Sequence, residues 1–317
     1  MKDKNILLDG MMGLVVGDAL GCPVQFLSRE EIKRRGLVTG MEGYGTYNMP
    51  PGTWTDDSSM ALATLASIHE NKKINPDDIM QRFVDWEFHG AYTPFGEAFD
   101  EGNTCSAAIY RYAKEKDCTT CGGTGEYANG NGALMRILPV CLYFITRQNI
   151  SDDEAIQGVH AVTALTHNHL RSHIASGLYY FMAKAIINSP EEKLATCIRR
   201  GLENGYGFYS RDIRNLTELT RFGRLFCFDT FRSLPENEIR SSGYVLDSIE
   251  AAIWCLTTTE SFRECLLKAV NLGHDTDTVA AIAGGLAGLY YGYENMPKEW
   301  IDAIQKKEWI EAICLHG

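Results

Sequence analysis

Two short acidic stretches hold the side chains best suited to chemistry. One is Gly273-His274-Asp275-Thr276-Asp277-Thr278, and the other is Gly52-Thr53-Trp54-Thr55-Asp56-Asp57-Ser58-Ser59. A lone Asp or Thr at a helix start is explained by capping, because its oxygen satisfies a free backbone N–H and complements the helix dipole. Two carboxylates one residue apart with a hydroxyl beside them exceed what a cap needs, and they repel each other unless a cation lies between them. Mg2+ and Mn2+ take about six hard oxygen ligands, more than one Asp-x-Asp provides. Thr55, Asp56 and Asp57 with Asp275, Asp277 and Thr278 would supply carboxylates and hydroxyls for two such ions. Paired ions of this kind hold substrate hydroxyls and activate a water.

Residues that far apart in the chain need rigid supports. Val279, Ile282, Ala283, Leu286, Leu289 and Tyr290 recur at helical spacing, so a helix with one apolar face follows Asp277. Gly284, Gly285 and Gly288 cost that helix about 1 kcal/mol each against alanine, and close approach of another backbone is the expected compensation. A first helix is predicted over 6–20, ending in Gly17-Asp18-Ala19-Leu20-Gly21. Met60, Ala61, Leu65 and Ile68 mark a helix behind the second acidic stretch, and Asn75-Pro76-Asp77-Asp78 opens the next. Further helices are predicted over 102–116 and from the glycine-rich 121–132 loop through Ile145. The capping box Ser151-Asp152-Asp153-Glu154 starts another. The remainder are expected over 168–188, 190–204, 244–257, 260–271 and 300–314. Residues 36–54 read as loop, and the polar, aromatic 205–242 stretch reads as an insertion over a site. With no strand-like alternation, linker or repeat, an all-α fold in a single domain over 1–317 is predicted.

Composition narrows the partners. A net charge of −11 and a pI near 5.2 argue against general nucleic-acid binding or binding to anionic membranes, so a phosphate in any ligand must be met locally. The ten cysteines are scattered through apolar windows, and Met1-Lys2-Asp3-Lys4 has no signal-peptide character, which together predict a cytoplasmic protein with free thiols. Cys118-Thr119-Thr120-Cys121 has zinc-like spacing but no second pair. The uncharged run 278–293 is too short and glycine-rich for a membrane span.

Five motifs in order along the chain carry a resemblance: Gly17-Asp18-Ala19-Leu20-Gly21, Thr55-Asp56-Asp57, Asn131-Gly132-Ala133-Leu134-Met135-Arg136, Thr166-His167 and Gly273-His274-Asp275-Thr276-Asp277-Thr278. They resemble the ADP-ribosylglycohydrolases, whose bacterial type member reactivates ADP-ribosylated dinitrogenase reductase. The resemblance implies an all-α orthogonal multi-helix bundle with a binuclear Mg2+ or Mn2+ site. It also implies hydrolysis of the glycosidic bond between ADP-ribose and an acceptor, often arginine, in a modified protein or small molecule. Carried over by position, the metal ligands are Thr55, Asp56, Asp57, Asp275, Asp277 and Thr278. Asp100 matches a carboxylate working near the scissile ribose, with Asp56 and Asp275 also catalytic. Gln25, Asn131, Gly132, His167 and Tyr244 fall at substrate-binding positions, Tyr244 as the aromatic that stacks on the ligand.

One position departs from the pattern. Many members carry a glutamate where this chain reads Gln25, in Gly21-Cys22-Pro23-Val24-Gln25; an amide hydrogen-bonds but cannot act as a base. Proton work then falls to Asp100, and the acceptor linkage stays open. The alternative is a weak or inactive relative that binds ADP-ribose or serves structurally. Gly122-Gly123-Thr124-Gly125 and Gly130-Asn131-Gly132 are candidate diphosphate cradles. His169 and His173 read as structural, and Arg136 as a buried ion-pair partner of the acidic site. A dinuclear phosphoesterase would need histidine ligands, and none is placed there.

Overall fold

The computed structural model describes residues 5–315, which are folded around one hydrophobic core; the structure is 66% helical, with no strands among the described residues. The first half comprises α1 (Ile6–Gly21), α2 (Arg29–Arg35), α3 (Asp56–Asn71), α4 (Pro76–His89), α5 (Asn103–Glu115), α6 (Leu138–Ile145), α7 (Asp152–Ala164) and α8 (Leu170–Asn188). The second half comprises α9 (Leu194–Tyr209), α10 (Leu216–Leu219), α11 (Gly223–Phe226), α12 (Phe228–Arg232), α13 (Val245–Thr257), α14 (Phe262–Val270), α15 (Thr276–Tyr291), α16 (Lys298–Ala303) and α17 (Lys307–Leu315).

At the centre, α1 and α15 lie backbone to backbone. A Cβ on Gly13 would sit 2.2 Å from the Gly284 carbonyl oxygen, one on Gly17 2.1 Å from that of Ala280, and one on Gly288 2.1 Å from that of Asp9. The expected close approach of a backbone is met at Gly284 and Gly288, which face the glycine stripe of α1, whereas Gly285 makes room for the side chains of Tyr179 and Leu138. From Asp9 to Gly21, α1 is buried on every side. The segment Ile6–Val24 is long and apolar enough to resemble a membrane span, but its apolarity is accounted for by its place in the core. The stripe ends at the site: a Cβ on Gly21 would lie 2.4 Å from Asp277 Cα, and Thr276 Oγ1 donates to the Gly21 carbonyl at 2.8 Å.

Tertiary ties move several predicted boundaries. The single helix expected over 300–314 is broken between α16 and α17, where Gln305 N–H donates to the Gly52 carbonyl and Trp54 Nε1 donates to that of Gln305. The helix expected to run from the glycine loop begins only at Leu138, after a short 3-10 turn over Leu134–Arg136. At Ser151 only half of the capping box forms, whereas Ser28 and Glu31 at α2 make a complete one. The 205–242 stretch is not a cover over the site. Its short helices pack beside α9, and its end buttresses the second acidic loop through Ser241, whose carbonyl accepts from Asp275 N–H at 2.9 Å.

Candidate metal centre

Asp18 joins the two acidic stretches. It reaches from α1 to the start of α3, where the Thr55 and Ser58 N–H groups donate to it at 2.9–3.0 Å and Ser58 Oγ at 2.5 Å. Thr55 is the N-cap of α3, and its hydroxyl donates to Asp57 Oδ2 at 3.1 Å. Across the gap, Thr278 Oγ1 in the first turn of α15 donates to the same Asp57 oxygen at 3.3 Å. The loop before α15 turns through left-handed Gly273 (φ +78°) and His274 (φ +63°). It is locked by His274 N–H to the Leu27 carbonyl and Phe26 N–H to the His274 carbonyl, both 2.7 Å. A Cβ at Gly273 would lie 2.6 Å from Arg29 N, so glycine is required.

These contacts gather acid without a cation. Asp18, Asp57 and Asp277 offer carboxylate oxygens all within 4.8 Å of one another, and all three are buried. Burial, then neighbouring carboxylates, push Asp56, Asp57 and Asp277 well above the usual carboxylate range. Burial also lifts Asp18 to about 6 against the hydrogen bonds that oppose it, and raises Asp100. Among the described residues no N–H or O–H donor reaches Asp57 Oδ1, Asp277 Oδ2 or Asp100 Oδ2. Buried acceptors left unmet are costly, and clustered ones are costlier. A divalent ion removes both costs, so the donor set fits such an ion. The set is all oxygen; the nearby thiol of Cys105 is pushed up to about 11 by burial and stays protonated, which favours hard cations over zinc or copper.

Above the acids lies a cleft of about 530 Å3. Its lining includes Asp56, Asp275 and Thr278, together with Asp100, Gln25, Asn131, Gly132 and His167, so most of the predicted substrate and catalytic positions converge. Asn131 Nδ2 donates to Asp275 Oδ2 at 2.6 Å and to Ser248 Oγ at 2.8 Å. His167 is buried, and burial with the Arg136 charge lowers it to about 3, so it is neutral. Thr166 Oγ1 takes a hydrogen bond from Arg136 Nη2 at 2.7 Å and lies 2.8 Å from His167 Nδ1. Donation from Thr166 to Nδ1 leaves the proton on Nε2, which makes that nitrogen a donor. Asp100 sits at left-handed φ +66°, its Oδ1 taking hydrogen bonds from Tyr47 Oη and from Gln25 Nε2, the latter at 3.2 Å.

Tyr244 directly follows Gly243 of the cleft wall; its ring lies 5.8 Å from the Arg171 guanidinium, and its backbone bridges to Gly130. Two expectations are corrected. The 122–125 glycines are committed elsewhere: a Cβ on Gly122 would collide with the Ala164 carbonyl, and Gly123 pairs with the 166–168 backbone. Arg136 pairs with no carboxylate among the described residues; it stacks over Phe83, and burial lowers it to about 10. As expected, His169 and His173 serve structure, the first capping α8 and the second stacked on His160. No cysteine is paired, and the 118–121 pair belongs to no metal-ligating group among the described residues. Asp18 and Tyr47 were missed as site residues. The signal for Asp18 was present: it is one of two carboxylates, with Asp9, inside an otherwise apolar helix, and a buried carboxylate needs a purpose. Tyr47, in a loop, carried none.

The comparisons agree with this geometry. A family model described as ADP-ribosylglycohydrolase matches residues 2–316. ADP-ribosylarginine hydrolase Tri1 of Serratia proteamaculans (strain 568) is 31% identical over 96% of this chain and 76% of its own length. The ADP-ribosyl-(dinitrogen reductase) glycohydrolase of Rhodospirillum rubrum is 32% identical over 95% of this chain and 90% of its own. A solved ADP-ribosylglycohydrolase-related protein complex superimposes with a TM-score of 0.75 and 29% identity, over 99% of this chain and 97% of that one. With a match along the whole chain, a shared all-helical architecture and the acidic motifs meeting at one cleft, the chain belongs to the ADP-ribosylglycohydrolase family.

Proposed function

We propose that this chain removes ADP-ribose from an arginine acceptor, on a protein or a small molecule, by metal-dependent hydrolysis. The observation that carries the reading is the set of buried, unmet carboxylate oxygens beneath a cleft lined by polar groups of ligand-binding type. Thr55, Asp56, Asp57, Asp275, Asp277 and Thr278 would hold two Mg2+ or Mn2+ ions. Bound there, the ions supply a grip on the ribose hydroxyls and a water made acidic enough to attack.

The chain's own groups do the rest. Asp100 is held at Oδ1 by Tyr47 and Gln25, and its free Oδ2 is available to carry a proton or offset charge at an oxocarbenium-like carbon. Gln25 itself moves no proton. Asn131 fixes the Asp275 carboxylate, and neutral His167 offers an N–H to the ligand without adding charge. At the Gly130–Gly132 wall, a Cβ on Gly132 would press within 2.7 Å of Cys105 Sγ. Bare backbone there supports diphosphate binding in an otherwise acidic protein. Ten unpaired cysteines support a reducing, cytoplasmic setting.

The test is ADP-ribose release from arginine-, serine- and O-acetyl-linked substrates with Mg2+, with Mn2+ and with chelator. Chelator-sensitive release from the arginine linkage is expected. Tight ADP-ribose binding by calorimetry with no release from any linkage would replace this reading with that of a binding relative.

A further inference from the structure

The cleft has two chemically different walls. Gly130, Asn131, Gly132 and Gly243 gather around Asp275 and His167 and are neutral. Gln25, Phe26 and Glu101 gather around Asp100, and among the described residues no Lys or Arg lines the cleft. Resting on the hydrolase reading above, we propose that Gln25, Phe26 and Glu101 form the acceptor subsite, and that it is built for a guanidinium, so that this chain selects arginine-linked over ether- or ester-linked ADP-ribose.

Gln25 supplies the first argument. The Oδ1 atom of Asp100 accepts from Tyr47 and also from the Gln25 amide nitrogen, the latter at 3.2 Å. That fixes Oε1 as the outward atom, and it is buried with no partner among the described residues. A buried acceptor calls for a donor, and an N–H carried by the ligand would meet it. A glutamate here would set two carboxylates against each other; the amide holds Asp100 and still offers one acceptor to the acceptor group.

Phe26 supplies the second. Its backbone is left-handed, φ +68°, a conformation that costs a non-glycine residue and is kept by the hydrogen bond to the His274 carbonyl. The side chain so presented is 65% exposed, edge-on to Tyr47 with ring centroids 6.4 Å apart. An exposed aromatic face held at a cleft edge is suited to a planar cation. Glu101 adds an exposed carboxylate on the same wall. The ribosylated guanidinium brings four N–H donors, no acceptor, and a flat weakly hydrated surface, which matches one amide oxygen, one carboxylate and one ring. A serine ether or an acetyl ester brings acceptors to the same groups and leaves Gln25 Oε1 unmet, the kind of mismatch that discriminates substrates strongly.

The experiment compares kcat/KM for ADP-ribosyl-arginine and O-acetyl-ADP-ribose in the wild type, Glu101→Gln and Phe26→Leu, with agmatine titrated calorimetrically into each protein's ADP-ribose complex. Each variant is expected to lose roughly 10-fold on the arginine substrate, mainly through KM. The arginine-to-acetyl selectivity should shrink by the same factor, and agmatine binding should weaken in parallel. Equal losses on both substrates, or agmatine binding indifferent to both variants, would overturn the subsite. Absence of release from either substrate by the wild type would instead remove the hydrolase reading, and the agmatine titration would still decide whether the wall takes a guanidinium.

Discussion

Among the described residues, two places bring together three side chains of metal-ligand type. Asp18, Asp57 and Asp277 do so beneath the cleft, and Glu126, His169 and Glu218 do so at the start of α8. By inventory the second is the richer, since it includes an imidazole. Yet Arg171, whose side chain is only 2% exposed, donates to Glu126 and Glu218 at 2.8 Å each, and Arg221 approaches both. Those carboxylates are already neutralised, and Arg171 holds Glu126 below the usual carboxylate range. The first cluster has no arginine or lysine against it among the described residues, carries unmet oxygens and is pushed upward. A metal site is recognised by unsatisfied acceptor capacity rather than by a count of ligand types.

The sharpest test of that difference removes one carboxylate from each. Asp57→Asn or Asp277→Asn is expected to cut turnover by about 10³-fold or more and to abolish the rise in Tm that Mg2+ or Mn2+ produces in the chelated protein. Glu126→Gln should leave the metal-induced rise in Tm unchanged. A Glu126→Gln protein that no longer responds to metal would show that the arginines do not saturate the second cluster.

A second test acts through the support rather than the ligands. In Gly17→Ala the new Cβ meets a backbone carbonyl that cannot rotate away, so α1 and α15 must part, at about 3 kcal/mol or more. Because Asp18 and Asp277 ride on those helices, metal affinity measured by calorimetry should fall with the melting temperature. Gly207→Ala, in a helix with open space around the new Cβ, is the matched control. It should be neutral, or stabilising by up to about 1 kcal/mol. Loss of stability in Gly17→Ala with metal affinity intact would separate the helix contact from the site.

How far the sequence could lead differs between the parts of the site. Asp56, Asp57, Asp275 and Asp277 were legible because two close carboxylates with a hydroxyl beside them exceed what a helix cap needs, and the α15 glycines were legible because they weaken a helix without local benefit. What carried no local signal were positions set by pairing across the chain. The neutralisation of Glu126 by Arg171, 45 residues away, is one, and Tyr47 on Asp100, 53 residues away, is another. The break at Ile304–Lys306 is a third, since it exists only because the 50–54 loop docks there. Arg136 was misread for the opposite reason: a cation in an acidic protein suggests an ion pair, but an aromatic face and a threonine hydroxyl took that place.

The two clusters should also respond to pH with opposite sign. Asp18 in the chelated protein titrates near 6, above its ordinary value of 3.8, because burial favours the neutral acid. Its contribution to stability is therefore complete below about pH 3.8 and lost as pH rises through 6, at most about 3 kcal/mol for a shift of that size. Glu126 is held low by Arg171, so its contribution is present above the ordinary glutamate value of 4.5 and lost as pH falls below it. Melting temperatures of chelated protein between about pH 3 and about pH 7 should then separate the variants, a range that runs from roughly one unit below the ordinary Asp value to roughly one unit above the raised Asp18 value. Asp18→Asn removes the part of the decline that accompanies rising pH, and Glu126→Gln removes a smaller part on the acid side. Saturating Mg2+ should abolish the first difference, because the ion takes the place of the proton, and should not alter the second. If metal flattened both profiles alike, the two clusters would be the same kind of site after all.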